Sequence, residues 1–200
     1  MDSPWHSGQL IPCPSKKRYA MKKIFLCLIV VTNYAIAQSQ ILMTKNATIS
    51  FHSHTFLENI DAVNNNVMAV IDGAKKNIAF SLLMKQFDFP RKLMQTHFNE
   101  NYVESDKYPK ATFSGSYTEN ADLTKDGSYT LNVSGKLTIH GVTKQVQIPA
   151  TLNVKSGTVT GTTTFKLNPA DYNIDIPFIV KDKIEKENTV KVKAEWIQKY

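Results

Sequence analysis

The residues that could do chemistry in this 200-residue chain are few, and most of them are histidines. His52 and His54 stand two apart in TKNATISFHSHTF, so on a strand both imidazoles project from one face, the arrangement of half a metal site. No acidic residue or third histidine can be assigned to them from sequence, and a solvated polar face is the plainer reading. His140 precedes Gly141, a turn-prone pair, where its ring could bond a neighbouring carbonyl. His97 lies among Met94, Phe98 and Tyr102 at helical spacing. Both cysteines, Cys13 and Cys27, fall in the first 37 residues. Beyond them there is no thiol nucleophile, no disulfide and no cysteine metal site. The chain has no G-x-S-x-G elbow, no phosphate loop and no H-E-x-x-H pair, so neither catalysis nor a cofactor is expected.

The elements that carry these residues are mostly strands. From Tyr129 to His140 apolar or small residues (Tyr129, Leu131, Val133, Gly135, Leu137, Ile139) alternate with polar ones (Thr130, Asn132, Ser134, Lys136, Thr138, His140). That period of two predicts a strand with one dry face. After His140-Gly141 a second strand resumes through Val142, Val146, Ile148, Ala150, Leu152 and Val154, which makes a hairpin. Strands are also predicted at 44–56, at 76–87, from Thr158 to Leu167 and from Thr189 to Tyr200. A polar break is expected at Asn64-Asn65-Asn66 before the apolar run Val67 to Ile71, and a short extended piece from Tyr172 to Ile176. Phe89 to Asp106 departs from this pattern. Pro90 opens it, its apolar residues recur every three or four positions, and Tyr108-Pro109 closes it, which predicts one or two short helices near residues 90–106.

The N-terminal region reads as an export signal rather than part of the fold. Met21-Lys22-Lys23 is positive, Ile24 to Val31 is an apolar run, and Ala35-Ile36-Ala37 has the small-x-small form of a cleavage site. The run is shorter than the roughly 20 residues that span a bilayer. Residues 1–20 are expected to be an upstream extension ahead of the true start, residues 21–37 the signal peptide, and residues 38–200 one domain. The segment carries five basic residues and one acid, so the formal charge drops from +7 to 19 basic against 16 acidic residues, or +3. Those basic residues are scattered singly, without the patch that nucleic-acid binding needs. A periplasmic or secreted location follows, with no transmembrane segment in the mature chain.

Two motifs carry a family likeness. Tyr108-Pro109-Lys110-Ala111-Thr112-Phe113 and the run Gly135-Lys136-Leu137-Thr138-Ile139-His140-Gly141-Val142-Thr143-Lys144 resemble the YceI-like family. That resemblance implies an extracytoplasmic bacterial protein, an all-β antiparallel lipocalin-like barrel, and a polyisoprenoid or similar long-chain lipid held inside it. It implies no nucleic-acid partner and leaves a homodimer open.

In an eight-stranded barrel the apolar faces point inward and leave room for packed side chains or one slender ligand. The ligand-lining residues expected are Ile49, Phe51, Phe80, Leu82, Phe113, Leu131, Val133, Leu137, Ile139, Phe165 and Trp196. His97 and Phe98 from the helical segment would stand at the barrel mouth, His97 as a contact for a quinone or phosphate headgroup. Small residues on the same faces, Ala47, Gly135, Gly161, Thr163 and Ala194, are expected to leave space. An alkyl or prenyl chain in such a tube gains roughly 0.8 kcal/mol per buried methylene. Two alternatives stay open: a barrel filled by its own core, serving a structural or stress role, and an isoprenoid-processing enzyme. A cavity would separate the first of these from a carrier.

Overall fold

A computed structural model describes residues 41–53, 59–175 and 187–198. The expectations for residues 1–37, for His54 and for Ile176 lie outside the described residues. Eight antiparallel strands form a closed barrel in sequence order: β1 (Ile41–Ser53), β2 (Ile60–Asp72), β3 (Asn77–Leu83), β4 (Lys110–Ser116), β5 (Gly127–Ile139), β6 (Val142–Lys155), β7 (Thr158–Leu167) and β8 (Asn188–Ile197). β8 returns to pair with β1 from Thr48↔Lys193 to His52↔Thr189. Every strand thus pairs with two neighbours, the all-β barrel that the alternating pattern predicts.

Turn chemistry sets the register. His140 and Gly141 both adopt positive φ (51° and 74°), as do Ser156 and Gly157 (49° and 78°). These are the two-residue turns whose twist matches that of the strands they join, and they fix Ile139↔Val142 and Lys155↔Thr158 as the first rungs.

The asparagine triplet is not a break. β2 runs straight through it, and Asn64 is fully buried. Its Nδ2 donates to the Leu83 carbonyl at 3.1 Å, and its Oδ1 accepts from the Asn66 backbone N–H at 2.9 Å. Pairing jumps from Thr44↔Ala69 to Ala47↔Val67 and then to Ile49↔Asn64. One extra residue on β1 is followed by one extra on β2, so two bulges cancel and the inward faces stay in phase. The side chain thereby replaces the ladder bonds that the bulge removes.

Residues Tyr172 to Ile176, expected to be extended, instead begin in a 3₁₀ turn over Pro169–Tyr172. Asn168 caps it by accepting from the Ala170 N–H at 3.1 Å, and Asn173 leaves it in the left-handed region. The strand predicted to run to Phe87 stops at Leu83, followed by a 3₁₀ turn, Met84–Gln86. The predicted helical stretch is α1 (Lys92–His97) running into a π turn, Phe98–Tyr102.

At the end opposite this helix the barrel is solid. Trp196 is 1% exposed and donates its indole N–H to the Ala69 carbonyl at 3.0 Å, while Val159, Leu152 and Ile71 are buried there on neighbouring strands. The 117–126 loop crosses this end. Leu123 is buried, and its carbonyl accepts from the Gln198 amide. The Asp122 carboxylate accepts from both the hydroxyl and the N–H of Thr124, with Lys125 adding to the effect, and these bonds hold its pKa down to about 2. The fold is therefore favoured by this carboxylate above its ordinary value of 3.8 and loses that contribution as pH falls through about 2. An NMR titration of Asp122 is expected to show its midpoint near 2, returning toward 3.8 in Thr124→Ala.

Tyr117 is buried at this solid end. Among the described residues its hydroxyl has no hydrogen-bond partner. Burial first, and the Asp72 carboxylate second, push its phenol above the ordinary tyrosine value. A buried hydroxyl without a partner is a net cost. Tyr117→Phe is therefore expected to leave stability unchanged or raise it by up to about 1 kcal/mol, read from urea unfolding midpoints.

Candidate functional site

The other end of the barrel is hollow. All eight strands contribute to the wall of a cavity of about 440 Å³, which reaches from Trp196 at the solid end to Phe98 and His97 beneath the helix. Its size suits a small or slender organic ligand. All thirteen residues singled out from the alternating pattern and the helical segment lie on this wall: Ile49, Phe51, Phe80, Leu82, His97, Phe98, Phe113, Leu131, Val133, Leu137, Ile139, Phe165 and Trp196. No aspartate, glutamate, lysine or arginine is among the described wall residues. The polar ones are Ser53, Thr162, Thr163, Asn188 and His97, with the Tyr102 phenol near the mouth.

The small residues act differently from expectation. A Cβ on Gly135 would come within 2.8 Å of the Phe113 ring and 2.5 Å of the Gly115 Cα. One on Gly161 would meet Trp196 at 2.9 Å and Leu152 at 3.2 Å. These glycines make room for neighbouring rings and for close strand approach rather than for a ligand. Ala47 and Ala194 are buried off the cavity wall, and of the five small residues only Gly161 and Thr163 reach it.

The mouth is closed by aromatic packing that sequence reasoning only half found. Phe51 of β1 and Phe98 of the π turn stack with centroids 5.6 Å apart at 29°. Phe87 and Phe89 complete the group, Phe87 edge-on to both at 5.4 and 5.8 Å, and Phe89 against Phe98 at 5.0 Å. The missed signal was the Phe87-Asp88-Phe89-Pro90 string, in which two rings flank a residue paired to the barrel. Asp88 and Val63 exchange both backbone bonds, at 2.8 and 3.1 Å, which fixes where this segment leaves β2. Met94, Tyr102 and Val103 also face the cavity, whereas Leu93 is 66% exposed.

His140 does more than turn the chain. Its Nδ1 lies 3.2 Å from the Tyr172 carbonyl, thirty-two residues away, and its Nε2 lies 3.2 Å from Glu104 Oε2. The Tyr108 ring stands edge-on to it at 4.3 Å, and Lys107 reaches the same Glu104 oxygen at 3.6 Å. The partners are a backbone carbonyl and a carboxylate, both acceptors. This one side chain thus joins the β5–β6 turn, the Pro169–Tyr172 turn and the far end of the helical segment. His52, by contrast, is on the outer surface with its Nδ1 2.7 Å from Asp61 Oδ1. Among the described residues no group of three or more His, Cys, Asp or Glu could hold a metal.

Comparison with known proteins gives a consistent outcome. A family profile described as YceI-like domain matches residues 40–196. Burkholderia cenocepacia BcnA superposes with a TM-score of 0.63 at 20% identity, covering 74% of this chain and 95% of that one. A polyisoprenoid binding domain from Saccharophagus degradans superposes at 0.68 with 11% identity, covering 81% and 100%. The YceI protein of Campylobacter jejuni superposes at 0.58 with 17% identity, covering 74% and 90%. At these identities the likeness shows the fold. None of the curated proteins matches the chain significantly.

His140→Ala is expected to speed amide exchange at Ser105, Lys107 and Tyr108, whose N–H groups bond within the 99–104 stretch. The local loss is about 1–2 kcal/mol with the β7–β8 strands unaffected, measured by hydrogen-exchange mass spectrometry.

Proposed function

Because the chain belongs to the YceI-like family, whose members are generally non-enzymatic binding proteins, we propose that it carries a long apolar chain, a polyisoprenoid, isoprenoid quinone or similar lipid, inside its barrel. The observation that carries this reading is the cavity itself: about 440 Å³, walled by apolar side chains from every strand and free of wall carboxylates, lysines and arginines among the described residues. A slender hydrocarbon gains roughly 0.8 kcal/mol for each methylene moved from water into such a space. A charged or strongly hydrated molecule would lose its hydration with little in return. The same hollow interior argues against a barrel filled by its own core. The polyisoprenoid-binding description of the Saccharophagus degradans domain supports the ligand class.

On this reading the headgroup lies toward the mouth, where Ser53, Asn188, Tyr102 and His97 supply the polar groups. The charged residues nearby, Glu104 and Lys107, are held by His140 and by each other. The proposed setting is extracytoplasmic, on the strength of the Met21 to Ala37 pattern. Among the described residues no helix is long and apolar enough to cross a membrane.

Organic extraction of the protein purified from a bacterial host, followed by mass spectrometry, is expected to release a long-chain apolar lipid in about equimolar amount. Ala150→Trp, which places an indole on the cavity wall from a half-buried position, is expected to fold and to extract with most of that lipid gone. An empty natural protein would overturn the reading.

A further inference from the structure

The barrel wall is not equally closed all the way round. β5 pairs β6 along its whole length, from Ile139↔Val142 to Gly127↔Val154. On its other side β6 pairs β7 only from Thr151↔Thr162 to Lys155↔Thr158. β7 nevertheless continues to Leu167, held by β8 through Leu167↔Asn188. The mouth-side stretches, Val146 to Ala150 of β6 and Thr163 to Leu167 of β7, therefore face each other without a ladder, and beyond them the Pro169–Tyr172 turn packs against β6 and is tied to the β5–β6 turn by His140.

The sequence explains where the zipper stops. Since Ile139↔Val142 is the first rung after a two-residue turn, the residues of β6 that send backbone groups toward β7 are Thr143, Gln145, Gln147, Pro149 and Thr151. Continuing the β6–β7 register by two residues would set Pro149 opposite Thr164. Proline has no N–H, so the next rung loses its donor. The Pro149 carbonyl is taken instead by a side chain, the Thr163 hydroxyl, at 2.6 Å.

The cavity reaches this gap. Ile148 and Ala150 on one lip and Phe165 and Leu167 on the other are all on its wall. So is Thr162, which is exposed and faces outward by strand alternation. Opening the mouth separates the four-phenylalanine group and the bond of His140 to Glu104. Between the lips themselves the described bond is that of the Thr163 hydroxyl to the Pro149 carbonyl, and the His140–Tyr172 bond lies beyond their end.

We propose that the gap between β6 and β7 is a lateral portal with apolar lips, through which the hydrocarbon chain of the ligand passes between a lipid phase and the barrel. This rests on the reading of the barrel as a carrier. The portal lets the chain move sideways while the mouth stays packed. Gln147 and Lys166 are both exposed and would face each other across the gap if the register were continued.

In the full chain carrying Gln147→Cys and Lys166→Cys, with the cross-link verified by peptide mass mapping, uptake of a pyrene-labelled long-chain fatty acid from phosphatidylcholine vesicles is the readout. The oxidised protein is expected to load at least about tenfold more slowly than the same protein after reduction, as for a gate held shut. Equal rates would overturn the portal and leave the carrier reading standing. Failure of the natural chain and the reduced variant to take up the probe would remove the carrier reading itself. Pro149→Val restores the missing donor without a cross-link and is expected to slow uptake in the same direction; unchanged uptake there counts against the portal. Hydrogen exchange in the natural chain gives an independent check. Amides of Thr143, Gln145 and Gln147 should exchange quickly while those of Lys144, Val146 and Ile148 are protected by β5, and equal protection of both sets would mean the gap is zipped.

Discussion

Circumferential closure of the hydrogen-bonded sheet is the constraint on which this structure depends. A packed core ordinarily holds a domain together, and a void in it costs stability because the lining atoms lose contacts. Here the backbone ladder carries much of that duty. β8 closes onto β1, two tight turns with paired positive φ values fix long registers, and compensating bulges keep β1 and β2 in phase. With strands tied to both neighbours, the interior is free to be solid at one end and hollow at the other.

That division runs along the barrel axis. Trp196, Leu152, Val159 and the 117–126 loop fill one end, where Gly161 gives the indole its space. Toward the other end the inward side chains are no smaller, but the walls there are spanned by the helical segment instead of by a second packed layer. Four phenylalanines and one histidine hold that segment down. The resulting space is largely apolar, and Ile148, Ala150, Phe165 and Leu167 of its wall flank the stretch where the β6–β7 ladder stops at Pro149. Ligand capacity and the weakest seam in the wall are therefore neighbours in the same part of the molecule.

Membership of the YceI-like family, the cavity and the absence of wall charges among the described residues point the same way. Each has a separate physical basis: sequence pattern, unfilled volume and desolvation cost. The histidine pair that looked like metal chemistry resolves, for His52, into a surface contact with Asp61 across β1 and β2. His140, read as a local turn residue, is that and a tertiary tie as well.

Much of this was legible in the linear chain. Period-two alternation in β5, β7 and β8 told which residues face inward, because side-chain direction in a strand is a local property of the backbone. His140-Gly141 and the segment from Pro90 could be placed for the same reason: turn geometry and helix boundaries are set by a few adjacent residues. What the chain could not tell was anything that depends on partners distant in sequence. Asn64 reads as a break until the Leu83 carbonyl is beside it, Gly135 reads as empty space until the Phe113 ring fills it, and Pro149 reads as an ordinary strand residue until the β6–β7 pairing is seen to stop short of it. Which inward faces enclose a void, and which meet and fill it, is decided only when eight strands close at one diameter, since volume belongs to the assembled wall and to no single strand.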